Sequence, residues 1–279
     1  MRSFGVLAGA AESPVVLHVP HGARAIPGPV RDGIVLDDAE LERELDRITD
    51  AHTLRVAARA AFAASAAGAS AGPSAGGASG GASGGASGGA GMRPWQFVNR
   101  LSRLVVDPER FPDEREEMRR VGMGAVYTAT TLRGVLREAE DPALLDAYYH
   151  PYAAAMERLV EERLAACGRA VVLDVHSYPA QALPYELHGD GPRPAVCLGT
   201  DPFHTPAWLE EAAREAFGPF GTGLNSPFSG CYVPMRHYGR DARVSALMLE
   251  MRRDASPEEV AALGRALARV VARAAAAGG

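Results

Sequence analysis

The sequence predicts an α/β fold of three layers, with helices covering both faces of a mostly parallel or mixed central sheet. Two short apolar runs, Pro14 to Pro20 and Val171 to Val175, look like strands buried on both sides. Between and after them the periodicity switches to helical spacing. At 279 residues and 47% hydrophobic, the chain can bury one full core, and setting aside a low-complexity tract leaves too little for a second. A single catalytic domain spanning 1–279 is therefore expected.

The elements follow in order. Val15 to Val19 reads as a strand. Asp38 to Phe62 reads as a helix with Leu41, Leu45 and Ile48 on one face, while Asp46 and Asp50, four apart, share another. From 63 to 91 only Ala, Gly and Ser occur apart from Pro73, including three tandem Ala-Ser-Gly-Gly units. Such a tract has nothing large to bury and much backbone entropy to lose, so a disordered surface-loop insertion is expected. Leu101 to Val106 reads as the next strand. Pro142 opens a helix carrying Tyr149, Tyr152, Met156, Leu159 and Val160, which leads into the Val171 to Val175 strand. Ala195 to Leu198 is a short strand, Pro206 to Phe217 a helix, and Cys231 to Val233 and Ser245 to Met251 are extended. Ser256, Pro257 and Glu259 form a capping box with proline at the first position of the last helix.

Several function classes are excluded as expectations. With 29 basic and 34 acidic side chains, net charge -5, no broad basic surface is available for nucleic acid. Cys167, Cys197 and Cys231 are widely spaced and odd in number, which suits neither a disulfide framework nor a thiolate zinc site and points to the cytoplasm. No long apolar run is present for a membrane. The glycines at 76 to 91 lack the ending of a phosphate loop.

Both apolar runs close on a histidine and a small residue, His21-Gly22 and His176-Ser177. Strand ends at the edge of an open α/β sheet are where ligands gather, and two histidines with a carboxylate are a common metal set. Asp46 and Asp50 both offer that carboxylate. Asp174, on the same side of its strand as His176, can receive the second ring N–H, act as a ligand, or form a salt bridge. His18 reads as a satisfied strand histidine or a supporting group, and His52, His150, His188 and His204 as surface or local hydrogen-bonding residues. Glu250 lies in an apolar run, where an unpaired charge is costly. Either an arginine such as Arg252 or Arg253 pairs with it, or it works at a site that uses a raised pKa. Arg236-His237-Tyr238-Gly239 packs donors into four residues, suited to an anion or a developing oxyanion. Arg103, four before Asp107, is a candidate fork for a substrate carboxylate.

In order and spacing, Val19-Pro20-His21-Gly22, Thr49-Asp50, Ser102 to Asp107 with Arg110, Asp174 to Ser177, Leu198-Gly199-Thr200, Asn225, Arg236 to Gly239 and Leu249-Glu250 resemble the N-formylglutamate amidohydrolase family. The resemblance implies a zinc-peptidase-like (phosphorylase/hydrolase-like) fold. It also implies one Zn2+ per chain and hydrolysis of N-formyl-L-glutamate, or a related N-acyl amino acid, in histidine degradation. It makes His21, His176 and Asp50 the metal ligands, with Asp46 as a competing register, and Glu250 the general base. Arg236 or His237 would stabilise the oxyanion, and Arg103, Asn225 and Tyr238 would bind substrate. Pro151-Tyr152-Ala153 departs from the Pro-Tyr-His of many relatives, and Pro184-Tyr185-Glu186 also differs. The same centre would serve an amidase or peptidase on another small substrate. A scaffold retained only to bind acidic amino-acid derivatives would keep the arginines without needing Glu250.

Overall fold

The computed structural model describes residues 2–69 and 93–277. Its elements are β1 (Phe4–Leu7), β2 (Val15–Val19), α1 (Gly28–Arg31), α2 (Asp38–Ile48), α3 (Thr53–Ala69), β3 (Trp95–Asn99), α4 (Pro142–Leu144), α5 (His150–Cys167), β4 (Ala170–Tyr178), β5 (Val196–Gly199), α6 (Ala207–Phe217), β6 (Thr222–Leu224), β7 (Val244–Arg252) and α7 (Pro257–Ala276). The strands form one sheet in the order β1-β3-β2-β4-β7-β5-β6. Its middle, β3, β2, β4 and β7, is parallel; β1 runs antiparallel to β3 and β5 antiparallel to β7, and β5 is parallel to β6. The sheet is therefore mixed.

Alternation along the strands builds the two outer layers. Val15, Leu17 and Val19 of β2, Val171, Leu173 and Val175 of β4, and Leu247, Leu249 and Met251 of β7 face α3, α6 and α7 in the largest core cluster. The intervening Val16, Val172 and Ala246 meet Tyr152, Met156, Leu159 and Val160 of α5 on the opposite face. On that second face the period of two also places His18, Asp174, His176 and Glu250, where cross-strand pairs His18↔Asp174 and His176↔Glu250 line up. The expected capping box is present: Ser256 Oγ accepts from Glu259 N at 3.2 Å, and Glu259 accepts from Ser256 N at 2.7 Å.

The structure differs from the sequence reading at five places. The helix read from Asp38 to Phe62 is two, broken over residues 49 to 52, where His52 takes φ 72°. Tertiary partners outweigh helix propensity there, because Asp50 N donates to His21 O at 3.0 Å and Asp50 Oδ1 accepts from Arg253 Nη2 at 2.9 Å. The apolar run 101–106 is a series of buried turns; the strand is Trp95–Asn99. Leu101, Val105 and Val106 pack with Val126 and Tyr149, while Leu104 packs with Met123 and Tyr127, so burial without a ladder explains the run. Cys231 to Val233 joins no strand, and β1 and β6 had no strong signal. Residues 63–69 continue α3 as helix, and the rest of the 63–91 tract lies outside the described residues.

Candidate metal centre and cleft

The ends of β2 and β4, together with the break between α2 and α3, converge. His21 lies two residues past β2, and the Asp50 N to His21 O bond ties the helix break to that strand end. Gly22 permits the approach, since a Cβ there would stand 2.7 Å from Thr53 Oγ1. Asp50 Oδ2 lies 3.1 Å from His176 Nδ1 and 3.7 Å from His21 Nδ1, and the two Nδ1 atoms are 3.2 Å apart. Atoms bound tetrahedrally about 2.0 to 2.1 Å from one ion stand about 3.3 to 3.4 Å from each other. This triangle has that size.

The opposite ring nitrogens lie beside carboxylates. His21 Nε2 lies 2.9 Å from Asp107 Oδ1, and His176 Nε2 lies 3.0 Å from Asp174 Oδ2. The Asp107 bond aims the His21 Nδ1 inward, whereas His176 Nε2 lies close to Asp174 but is buried without a hydrogen-bond partner. Two other groupings, His18 with Glu109 and Asp174, and His21 with Asp107 and Glu109, also bring donors together. They fit an ion less well. His18 is engaged on both sides, by Asp174 at 2.9 Å and by the Tyr152 hydroxyl at 2.6 Å. Asp107 is held by Arg103 Nη2 at 2.6 Å and by the Tyr127 hydroxyl at 2.5 Å. Asp46 is on the surface, accepting from Arg24 Nη1 at 2.8 Å, so the competing register does not reach the histidines.

Burial and charge set the protonation states. Burial opposes ionisation of Asp50, but the neighbouring His176 and His21 imidazoles and the charge of Arg253 outweigh it and hold the carboxyl below its usual range. His176 would be lowered by burial; Asp174 and Glu109 instead hold it well above its ordinary value. Asp107 and Glu109 are kept well below theirs, against burial, chiefly by Arg103 for the first and His176 for the second. Glu250 goes the other way. Burial and, with smaller weight, the Asp50 charge push its carboxyl up to about 8. Its Oε2 is buried and has no hydrogen-bond partner.

A stability consequence follows for metal-free protein. Between the ordinary value of 4.5 and about 8, Glu250 holds a proton in the fold that the unfolded chain has released. Its contribution is thus fully present below about pH 4.5 and lost as pH rises through about 8. Metal-free Glu250→Gln should match the parent in acid and become the more stable of the two by pH 9, by an amount on the order of a few kcal/mol. Denaturant melts of chelator-treated protein across pH check this; a constant difference at all pH values would show that Glu250 is not buried with its proton.

The centre opens into a cleft of about 400 Å³. Arg103, Tyr238 and Glu250 line it with the triad, as do Glu109, Arg110 and Arg253. Arg253 donates to Asp50 Oδ1 and to Ser177 O, both at 2.9 Å, and to Arg47 O, bracing the helix break against β4. Three residues expected at the site stand elsewhere. Arg236 is solvent-exposed and pairs with Glu157 at 3.3 Å and Glu161 at 3.1 Å of α5. His237, next to it in a turn, lines a separate depression with Glu161 and Asp241. Asn225 exchanges two 2.8 Å bonds with Thr200 between the ends of β5 and β6. Periodicity could not show that this turn faces α5. Glu109 and Arg110, in contrast, received no role from the sequence, although they stand within four residues of the buried apolar run that ends at Val106.

The family model for N-formylglutamate amidohydrolase matches residues 13–256. The chain belongs to that family. Among solved structures, N-formylglutamate amidohydrolase from Ralstonia eutropha JMP134 is similar at 18% identity and TM-score 0.71, over 99% of this chain and 98% of that one. A gene product from Agrobacterium tumefaciens is similar at 21% identity and TM-score 0.65, over 98% and 95%. These likenesses are of fold, a mixed sheet flanked by helices. No curated protein matches. No helix among the described residues is long and apolar enough to cross a membrane.

Proposed function

We propose that this member of the N-formylglutamate amidohydrolase family is a zinc-dependent hydrolase of zinc-peptidase-like arrangement. It would cleave the amide of N-formyl-L-glutamate or a related N-acyl amino acid. The observation that carries the reading is the 3.1 to 3.7 Å triangle of His21, Asp50 and His176, with Glu250 paired in register beside His176. Those three residues would hold the ion, which when bound supplies Lewis-acid polarisation and a more acidic water.

The chain's own groups do the rest. Glu250, buried with an unengaged oxygen, takes the proton of the attacking water and returns it to the leaving amine. Asp107 keeps the His21 imidazole oriented, and the Asp174 carboxylate sets its charge beside His176. Arg103 is clamped by Asp107 and Tyr127, so its fork is not free for a carboxylate; its Nη1, 3.9 Å from Asp50, is left to face the oxyanion. Arg110 takes over the carboxylate. Tyr238 stands at the cleft wall, and Arg236, His237 and Asn225 have no step.

Zinc-loaded protein should release formate from N-formyl amino acids, lose the activity on chelation and regain it when zinc is restored. A fully loaded protein that releases no formate from any N-formyl amino acid would overturn the reading.

A further inference from the structure

Resting on that hydrolase reading, we propose that the cleft prefers N-acyl derivatives of apolar amino acids, which carry one carboxylate, over those of glutamate, which carry two. A carboxylate entering a partly buried cleft needs unspent donors. Three arginines line this one. Arg103 spends Nε on Asp107 and Tyr127 and Nη2 on Asp107, and its Nη1, 3.9 Å from Asp50, is the oxyanion donor. Arg253 spends its guanidinium on Asp50, Ser177 O and Arg47 O. Arg110 makes no side-chain hydrogen bond among the described residues; its nearest carboxylates, Asp107 and Glu116, are both at 3.6 Å, and its Nε is buried without a partner. The cleft thus has one seat for a carboxylate.

A second carboxylate finds no second unspent arginine, and the acids Glu109, Glu117 and Glu157 also line the cleft, Glu117 3.4 Å from His188 and Glu157 3.3 Å from Arg236. The walls suit a different side chain. Phe111, Tyr185, Leu187, Phe228, Met235 and Tyr238 all face the cavity, and Met235 and Tyr238 keep 39% and 40% of their surface exposed. An apolar substrate side chain covers that surface and removes it from water. A formyl group fills little of about 400 Å³, so the volume is left to the amino-acid half.

The test compares N-formyl-L-methionine and N-formyl-L-phenylalanine with N-formyl-L-glutamate on zinc-loaded protein. The expected kcat/KM is about 10-fold or more higher for the apolar pair. Arg110→Gln should raise KM for N-formyl-L-phenylalanine and leave that for its carboxamide unchanged, with partial rescue by Arg110→Lys; Tyr238→Ala should shrink the apolar preference. Equal or better use of the glutamate compound overturns the proposal. Should no N-formyl amino acid turn over, the hydrolase reading fails, and calorimetric binding of N-acetyl-L-phenylalanine against N-acetyl-L-glutamate decides the preference separately. Tighter binding of the phenylalanine compound supports it; equal, weaker or absent binding overturns it.

Discussion

Glu250→Gln is expected to lower kcat by about 100-fold at least while zinc content, fold and KM stay close to those of the parent. The substitution keeps the volume and removes only the capacity to accept a proton, and general-base catalysis contributes about 10² to 10⁴-fold. Because the loss is felt in the transition state, it falls on kcat. The environment supports the role: the side chain is 8% exposed, lies in register with His176 and leaves one oxygen without a partner. Burial holds the carboxyl at about 8 without an ion. A cation at the neighbouring triad favours ionisation, so zinc-loaded enzyme should gain rate with rising pH through a value lower than that one. The variant should lack this acid limb. Steady-state rates over pH, with metal content measured on the same samples, decide it; parent-like kcat on a substrate the parent hydrolyses well would make Glu250 structural.

The features read correctly from sequence are those governed by local periodicity. Alternation in β4 and β7 places Asp174, His176 and Glu250 on one face, and the apolar runs before His21 and His176 are strands, although β4 runs on through Tyr178 and so holds His176 within it. A carboxylate within Leu247 to Met251 is anomalous on the same logic. Periodicity failed where tertiary bonds set the backbone. Helical spacing continues through Thr49 to His52, yet His21, Ser177 and Arg253 capture Asp50 and end the helix. The run 101–106 is apolar because turns are buried there, with Arg137 donating to the carbonyls of Leu104 at 2.5 Å and Tyr127 at 2.8 Å. Donor accounting is also beyond a sequence. Arg103 looks like the fork in sequence until Asp107 and Tyr127 are seen to occupy it, while Arg110, which drew no role, makes no side-chain hydrogen bond among the described residues.

His176→Ala should lose zinc, and Asp107→Asn should keep the site with weaker affinity, giving two graded steps from one geometry. Removing His176 deletes an Nδ1 that lies 3.1 Å from Asp50 and 3.2 Å from His21 Nδ1, leaving two protein ligands where a catalytic zinc needs three. Hydrolysis should then fall roughly 10³-fold or more, the order of a Lewis acid's contribution of several kcal/mol. Asp107 touches no candidate ligand atom; it holds the far nitrogen of His21 at 2.9 Å. Loss of such a support costs about 10 to 100-fold in metal affinity. The asparagine would keep the shape but drop the charge that Arg103 pairs with at 2.6 Å, so a melting curve on the same protein separates a loosened imidazole from a loosened loop. Because His176 sits well above its ordinary pKa, protons compete with the metal, and affinity should fall as pH is lowered in the parent and Asp107→Asn proteins. Equilibrium dialysis against zinc at two pH values reads all of this without turnover. Full occupancy retained in both His21→Ala and His176→Ala would remove the triad as the metal centre.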